Sequence, residues 1–238
     1  MTNKDFNIKI FADGAEIDGM LEMYRSGFIS GFTTNPTLMK KAGLTDYETF
    51  ALKAVEAIPD MPLSFEVFSD DFETMEKEAR KIGNWGKNVF IKIPVTNTKG
   101  ESSTLLIKKL SAEGLKLNIT AILTLSQVES VLKNITPNAG AVISVFAGRI
   151  ADTGIDPMPL MRETANMCKD VSKVESLWAS TRELLNIFQA EQCGVDIITV
   201  TNDILKKLTN VGKDLTKLSL ETVQMFYNDA KSSGYKII

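Results

Sequence analysis

Short apolar segments alternate with longer amphipathic segments along the chain. An apolar run of roughly four to eight residues between turn signals is typical of a buried strand, and apolar residues at helical spacing predict a helix packed on one face. The predicted strands cover residues 8–12, 31–34, 63–67, 89–95, 116–121, 141–146, 173–179 and 197–200. The predicted helices cover residues 17–26, 47–58, 72–82, 103–113, 125–133, 158–170, 181–190 and 202–208.

Eight strand–helix pairs in succession predict a parallel sheet closed into a (β/α)8 TIM barrel. The length of 238 residues fits one such domain, since α/β barrels commonly have about 200–250 residues. We therefore predict a single barrel domain over residues 1–238. A helical tail over about residues 214–238 carries Leu220, Val223 and Phe226 at helical spacing. This extra C-terminal helix has no strand to follow, so we expect it to cap the barrel or to pack on a neighbouring subunit.

The composition is that of an ordinary globular protein, with 44% hydrophobic and 24% charged residues. A net charge of −3 argues against a general nucleic-acid or membrane-surface binder. No apolar run approaches the roughly 20 residues that span a bilayer, and no charged-then-apolar leader opens the sequence. We therefore expect a cytoplasmic protein. Cys168 and Cys193 lack metal-site spacing, so no metal site is predicted.

The absence of histidine restricts the possible chemistry. General acid–base catalysis would have to use Asp, Glu, Lys, Tyr, Cys or water. A serine–histidine triad and a histidine-ligated zinc site are excluded.

Lys92 lies inside the apolar run of the fourth predicted strand. Burying an ammonium group without a partner costs several kcal/mol. Desolvation favours the neutral amine, which is a nucleophile for carbonyl carbon. Alternatively, the side chain could reach water at the strand end or pair with a carboxylate in a purely structural role.

Polar residues recur where the other predicted strands end, which is the end that carries the active site of a TIM barrel. These residues are Asp13, Thr33, Thr34, Asn35, Glu66, Asn118, Thr120, Ser144, Arg149, Ser180 and Arg182. Each has a structural alternative, because Asp13 or Ser180 could cap a helix and Asn35 could start a turn before Pro36. Together with Lys92, polar groups from seven strands are directed toward one mouth, which favours a functional site.

These residues suit one reaction type that needs no cofactor. The Lys92 amine can form an imine with a ketone, which makes the neighbouring carbon–carbon bond breakable. Asp13 can take the hydroxyl proton as that bond breaks, and Glu66 can relay protons through water. Arg149 and Arg182, each predicted at a helix start after a strand, suit an anionic group such as phosphate. Hydroxyl groups and water can be oriented by Asn35, Asn118, Thr120 and Ser144.

Several segments resemble the transaldolase family, in particular its small bacterial branch, which also contains fructose 6-phosphate aldolase. The matching segments are FADGAEID at 11–18, GFTTNPTLM at 31–39, FEV at 65–67, IKIPVT at 91–96, LNITAILTLSQ at 117–127, ISVFAGRIAD at 143–152 and WASTREL at 178–184. They are collinear with the family over nearly the whole chain.

The resemblance implies a role for each site residue. Lys92 would be the Schiff-base lysine, Asp13 the acid/base, and Glu66 with Thr120 would hold a catalytic water. The substrate-binding residues would be Thr33, Asn35, Asn118, Ser144, Phe146, Arg149, Ser180 and Arg182. Within that set Asn35 and Asn118 would hold the donor, and Arg149, Ser180 and Arg182 the phosphate.

The resemblance also implies a transaldolase that moves a dihydroxyacetone unit between sugar phosphates and assembles as a homo-oligomer, a pentamer or a decamer. Aldolases of the family carry glutamine and tyrosine at the positions of Glu66 and Phe146, which favours transfer over release of free dihydroxyacetone. The chain departs from the usual family pattern at Gly14, at Val145 and over residues 153–157. Three alternatives remain open: an aldolase that releases dihydroxyacetone, an enzyme for a sulfonated sugar, and a catalytically silent phosphosugar-binding barrel.

Overall fold

Residues 6–136 and 140–238 are described in a computed structural model, and within them eight parallel strands close into a barrel in sequence order. The strands are β1 Lys9–Asp13, β2 Gly31–Thr33, β3 Leu63–Glu66, β4 Val89–Pro94, β5 Leu117–Ile122, β6 Ala141–Val145, β7 Val174–Trp178 and β8 Ile197–Thr201. The final strand β8 pairs with β1, which leaves no free edge in the sheet. This confirms the predicted (β/α)8 TIM barrel.

Helices connect the strands around the outside of this sheet. They are α1 Ile17–Ser26, α2 Pro36–Lys41, α3 Tyr47–Ala57, α4 Phe72–Gly83, α5 Thr104–Ala112, α6 Leu125–Leu132, α7 Ala147–Ala151, α8 Met158–Lys169, α9 Leu185–Gln192, α10 Asn202–Leu205 and α11 Leu215–Ser232. Side-chain caps begin several of them, because the first N–H groups of a helix lack partners inside the helix. Asp46 caps α3, Asp71 caps α4, and Thr124 with Gln127 forms a capping box on α6.

The core lies between the strands and the surrounding helices. Outward-facing strand residues such as Phe65, Ile91, Ile119 and Ile143 are fully buried there. Both faces of a parallel barrel are covered, so its strands are rich in apolar residues. The inward-facing residues toward the carboxyl ends of the strands are instead polar, and they form the site described below.

The structure differs from the predicted helices in four places. Short helices α2 and α7 follow β2 and β6 and were not predicted, because six and five residues are too few to show helical periodicity. The helix predicted over 181–190 begins only at Leu185. The helix predicted over 202–208 is divided into α10 and a 3-10 turn at Lys206–Asn210.

The predicted C-terminal helix is present as α11. In contrast to the helices around the barrel, none of its side chains is buried within the described part of the chain. Val223, Phe226 and Tyr227 are each about 60% exposed or more. Over the described residues, no helix has the length and apolar character needed to cross a bilayer.

Candidate active site

A cavity of about 380 Å³ opens at the carboxyl ends of the strands. All twelve predicted site residues line it: Asp13, Thr33, Asn35, Glu66, Lys92, Asn118, Thr120, Ser144, Phe146, Arg149, Ser180 and Arg182. The strand register explains why, since Glu66, Lys92 and Asn118 are direct neighbours on β3, β4 and β5. Asp13 is likewise paired with Thr33 on β2.

Lys92 is 6% exposed and lies on the wall of this cavity. Its Nζ is 3.1 Å from Glu66 Oε2 and donates a hydrogen bond of 2.8 Å to the Thr34 carbonyl. The amine therefore does not reach bulk water, and one of its two partners is a carboxylate of the same pocket. A buried amine beside a carboxylate that can exchange protons is the arrangement that imine chemistry requires.

Asp13 lies at the end of β1 with its carboxylate held by two side chains. Thr33 Oγ1 donates to Asp13 Oδ1 at 2.8 Å, and Asn35 Nδ2 donates to Oδ2 at 3.4 Å. Desolvation raises the pKa of Asp13, while the nearby Lys92 charge and the Thr33 hydrogen bond oppose that rise. A carboxylate whose proton affinity is increased is well suited to act as a base toward a hydroxyl group.

A chain of hydrogen bonds orders the floor of the pocket. Ser144 Oγ donates to Asn118 Oδ1 at 2.6 Å, and Asn118 Nδ2 donates to Ser64 Oγ at 3.1 Å. On the opposite side Thr33 and Thr199 share a short hydroxyl–hydroxyl contact. These bonds fix the direction of each amide and hydroxyl group, so the pocket is polar and preorganised.

Thr120 differs from these neighbours. Its Oγ1 is buried and has no hydrogen-bond partner among the residues that the structure describes. The next residue, Ala121, has a φ of 60°, and the pairing of β5 with β6 shifts between Ile119 and Ile122. Such a bulge redirects side chains next to active sites at a cost in backbone strain. It leaves the Thr120 hydroxyl free to bind a substrate group or a water.

Two arginines line the outer part of the pocket. Arg149 lies inside the short helix α7, with its guanidinium carbon 5.5 Å from the centroid of the Phe146 ring. Arg182 lies in the loop before α9, which corrects the prediction that it begins a helix. Its Nε donates to Asp152 Oδ1 at 3.0 Å, and Nη2 contacts the second carboxylate oxygen. This hydrogen bond lowers the pKa of Asp152.

The main chain brings α7 and the end of β7 into direct contact. Ser180 has a φ of 65°, and its carbonyl oxygen lies only 1.7 Å from the position where a side chain on Gly148 would begin. Glycine is therefore the residue that this contact allows. The contact places Arg149 and Arg182 on the same side of the pocket.

The sequence predictions missed several residues of the site. Ser64 and Thr199 are buried polar residues on the inner face of β3 and β8. Side chains alternate between the two faces of a strand, so Ser64, two residues from Glu66, could have been predicted to lie on the same face as Glu66. Asp152 gave no signal, since an exposed aspartate after a helix is common. Over residues 6–136 and 140–238, no group of three or more carboxylate or thiol side chains is arranged to hold a metal ion.

Known proteins of a single family match this chain over most of its length. The sequence profile of the family described as Transaldolase/Fructose-6-phosphate aldolase matches residues 10–237. A "Probable transaldolase" of Methanococcus maripaludis is 36% identical over 205 residues, which are 85% of this chain and 90% of that protein. A "Probable transaldolase" of a Thermoanaerobacter species is 34% identical over 232 residues, which are 97% of this chain and 100% of that protein.

Among solved structures, a dihydrodipicolinate synthase from Rhodopseudomonas palustris has a similar fold. It superposes with a TM-score of 0.59 and covers 97% of this chain and 81% of its own. At 14% identity this likeness concerns the barrel fold alone.

Proposed function

The chain belongs to the transaldolase/fructose-6-phosphate aldolase family, and on that premise we propose that it transfers a dihydroxyacetone unit from a ketose phosphate to an aldose phosphate through an imine on Lys92. Membership makes it an enzyme of the transaldolase or aldolase type and confirms the resemblance seen in the sequence. The observation that carries the finer proposal is the placement of the buried Lys92 amine within 3.1 Å of Glu66, in the same pocket as Asp13.

In the first step Lys92 passes a proton to Glu66, and the free amine attacks the carbonyl carbon of the ketose. A carbon–nitrogen bond forms, and the carbonyl oxygen leaves as water after it has gained two protons. Glu66 is the group in position to pass protons to and from Lys92. Thr120, which lines the same cavity and whose hydroxyl has no partner among the described residues, would hold the departing water.

In the second step a carbon–carbon bond breaks next to the imine. Asp13 removes the proton of the sugar hydroxyl, the carbon that bore this hydroxyl becomes an aldehyde, and the bond electrons move into the imine to form an enamine on Lys92. The raised pKa of Asp13 supports this role as base. An acceptor aldehyde then replaces the first one, and the same residues run the sequence in reverse.

The remaining side chains divide between the sugar hydroxyls and the anion. Asn35, Asn118 and Ser144 present amide and hydroxyl groups toward the barrel axis, where a bound sugar would lie. Arg149 supplies positive charge in the pocket, Arg182 would add a second guanidinium when it exchanges Asp152 for the anion, and Ser180 adds a hydroxyl group. Charge-assisted bonds from two arginines suit a sugar phosphate, and they would also suit a sulfonate.

Phe146 and Glu66 favour transfer over release of free dihydroxyacetone. Release requires that the enamine be protonated by a nearby donor or a positioned water. Phe146 lines the pocket and has no hydroxyl to offer, and the carboxylate of Glu66 would hold a water differently from the neutral glutamine that aldolases of the family carry. The enamine therefore survives long enough to meet an acceptor aldehyde.

Borohydride trapping with a panel of ketose phosphates and a ketose sulfonate tests this proposal. We expect reduction to fix a three-carbon adduct on the peptide that contains Lys92, detected by intact mass and peptide mapping. Lys92→Met should abolish both adduct and turnover, whereas Lys77→Met, on the exposed face of α4, should change neither. An adduct on another lysine, or a fully active Lys92→Met variant, would contradict the mechanism.

We also propose that the chain forms a homo-oligomer, a pentamer or a decamer, through its C-terminal helix. The support is the family membership together with α11, whose apolar side chains find no cover within the described part of the same chain. Light scattering should give a multimeric mass for the full chain and a smaller mass for a chain ending at Asn210. A monomeric full-length chain would refute the proposal.

A further inference from the structure

The main chain of Glu66 exchanges two hydrogen bonds with an unexpected partner, the phenol of Tyr47. The Glu66 N–H donates to Tyr47 Oη at 2.6 Å, and Tyr47 Oη donates to the Glu66 carbonyl at 3.2 Å. Tyr47 is the first residue of α3, where Asp46 caps the helix. One side-chain oxygen thus pairs both polar main-chain groups of the residue beside Lys92.

The pairing of β2 with β3 explains what this oxygen replaces. The N–H of Phe32 bonds to the Pro62 carbonyl, and the N–H of Thr34 bonds to the Ser64 carbonyl. In a parallel ladder the following bonds would run from the Glu66 N–H to the Thr34 carbonyl, and from the N–H of residue 36 to the Glu66 carbonyl. Residue 36 is proline, which has no N–H to donate.

The Thr34 carbonyl is used elsewhere, because it accepts the 2.8 Å hydrogen bond from Lys92 Nζ. The hydrogen bonds between β2 and β3 therefore end before Glu66. The Tyr47 phenol supplies both the acceptor and the donor that β2 does not offer to Glu66. Without such a substitute, two main-chain groups of Glu66 would be left unpaired next to the pocket, which is costly.

The surroundings hold Tyr47 in this position. Its ring packs against Phe65, Phe68 and Trp85, with centroid distances of 6.1, 4.6 and 5.6 Å. Burial raises the pKa of the Tyr47 phenol above its usual value. The group consequently stays neutral and keeps the proton that it donates to the Glu66 carbonyl.

We propose that Tyr47 is a positioning residue, which completes the β2–β3 ladder at Glu66 and thereby leaves the Thr34 carbonyl to orient the Lys92 amine. The inference rests on the proposed function, in which Lys92 is the nucleophile and Glu66 its proton partner. Tyr47 itself lies outside the cavity lining and acts only through these two residues. Loss of its hydroxyl would let the Glu66 N–H compete with Lys92 for the Thr34 carbonyl.

Tyr47→Phe tests this directly, because it keeps the packed ring and removes one oxygen. Tyr24→Phe is the matched control, since it removes a phenol that donates to Asp60 at 2.7 Å outside the pocket lining. The first measurement is the rate of imine formation by rapid-quench borohydride trapping at saturating ketose phosphate. We expect Tyr47→Phe to lower that rate roughly tenfold with little change in substrate affinity, and Tyr24→Phe to leave it unchanged.

The second measurement does not depend on catalysis. The Glu66 amide proton and the Thr34 carbonyl carbon should change chemical shift in Tyr47→Phe and not in Tyr24→Phe. An unchanged Thr34 carbonyl together with an unchanged imine rate would overturn the proposal, even if the variant unfolds at a lower temperature. If the unmodified chain forms no adduct on Lys92, the proposed function fails by itself, and the Thr34 carbonyl shift alone then supports or overturns the role of Tyr47 in the ladder.

Discussion

Substitution of Gly148 by alanine should disturb the side of the pocket that carries Arg149 and Arg182, because the new side chain would meet main chain. The new Cβ would lie 1.7 Å from the Ser180 carbonyl oxygen and 3.2 Å from Arg182 Cγ. Real Cβ atoms essentially never come closer than 3.0 Å to another heavy atom, so α7 and the end of β7 would have to separate by more than an ångström. A change of side-chain rotamer cannot relieve this overlap, because the nearest atom is the Ser180 carbonyl oxygen of the main chain.

The size of the effect follows from this geometry. Overpacking of a buried contact costs about 1–3 kcal/mol, and for a chain of this size each kcal/mol lowers Tm by about 2–4 °C. We therefore expect Tm to fall by about 2–12 °C. The separation also moves Arg149, one residue from Gly148, relative to Arg182. A misplacement of about 1 Å can cost on the order of a hundredfold in rate.

Two measurements test this prediction. Thermal unfolding should show the loss of stability in Gly148→Ala, whereas Gly14→Ala should be neutral or slightly stabilising, because nothing lies within 4 Å of a Cβ there. Steady-state kinetics should show a much larger loss of kcat/KM with erythrose 4-phosphate than with unphosphorylated glyceraldehyde. A Gly148→Ala variant with unchanged Tm and an unchanged ratio between the two acceptors would refute the reasoning.

Three further predictions concern single side chains of the pocket. Asp13→Asn should raise Tm, because the pKa of Asp13 is raised above its ordinary 3.8 and the folded state therefore loses stability as the pH rises from 3.8 through that raised value. The gain in Tm should be larger at pH 8 than at pH 4.5. An equal gain at both pH values would contradict this. Arg182→Ala should lower kcat/KM for phosphorylated acceptors about ten- to a hundredfold and much less for glyceraldehyde. Equal losses with both acceptors would assign Arg182 a structural role. Phe146→Tyr, alone or with Glu66→Gln, should raise the release of dihydroxyacetone from fructose 6-phosphate relative to its transfer to erythrose 4-phosphate. If the unmodified enzyme already releases dihydroxyacetone as fast as it transfers the unit, the aldolase assignment is favoured.

The barrel and its inner ring of polar residues could be predicted because each rests on a strong local pattern. Strands of a parallel barrel are covered on both faces, so their apolar runs stand out from the amphipathic helices between them. The order of the strands then places Glu66, Lys92 and Asn118 side by side without further information. For the same reason, Asp13 and Thr33 could be expected to meet at the mouth.

Apart from Ser64 and Thr199, the missed features depend on main-chain geometry that residue type does not reveal. Ser180 adopts a positive φ although serine rarely signals one, and Ala121 does the same at the bulge in β5. Tyr47 resembles any apolar first-turn residue of α3, because its hydroxyl bonds to main chain and not to another polar side chain. Arg149 lies in α7, and a helix of five residues is too short to be predicted from the spacing of its apolar residues.

The lack of histidine, combined with the enclosed carboxyl of Asp13, has a practical consequence for counting protons. Ordinary carboxylates ionise near pH 4 and ordinary lysines near pH 10, and burial raises the pKa of Cys168 to about 12 and also raises that of Cys193. Apart from an α-amino group, the surface therefore contributes almost no titration at neutral pH. A proton taken up or released at neutral pH when an uncharged sugar binds, measured by calorimetry in buffers of different ionisation enthalpy, would therefore report on the pocket. A phosphate group on the sugar would add its own titration, because its second pKa lies near 6.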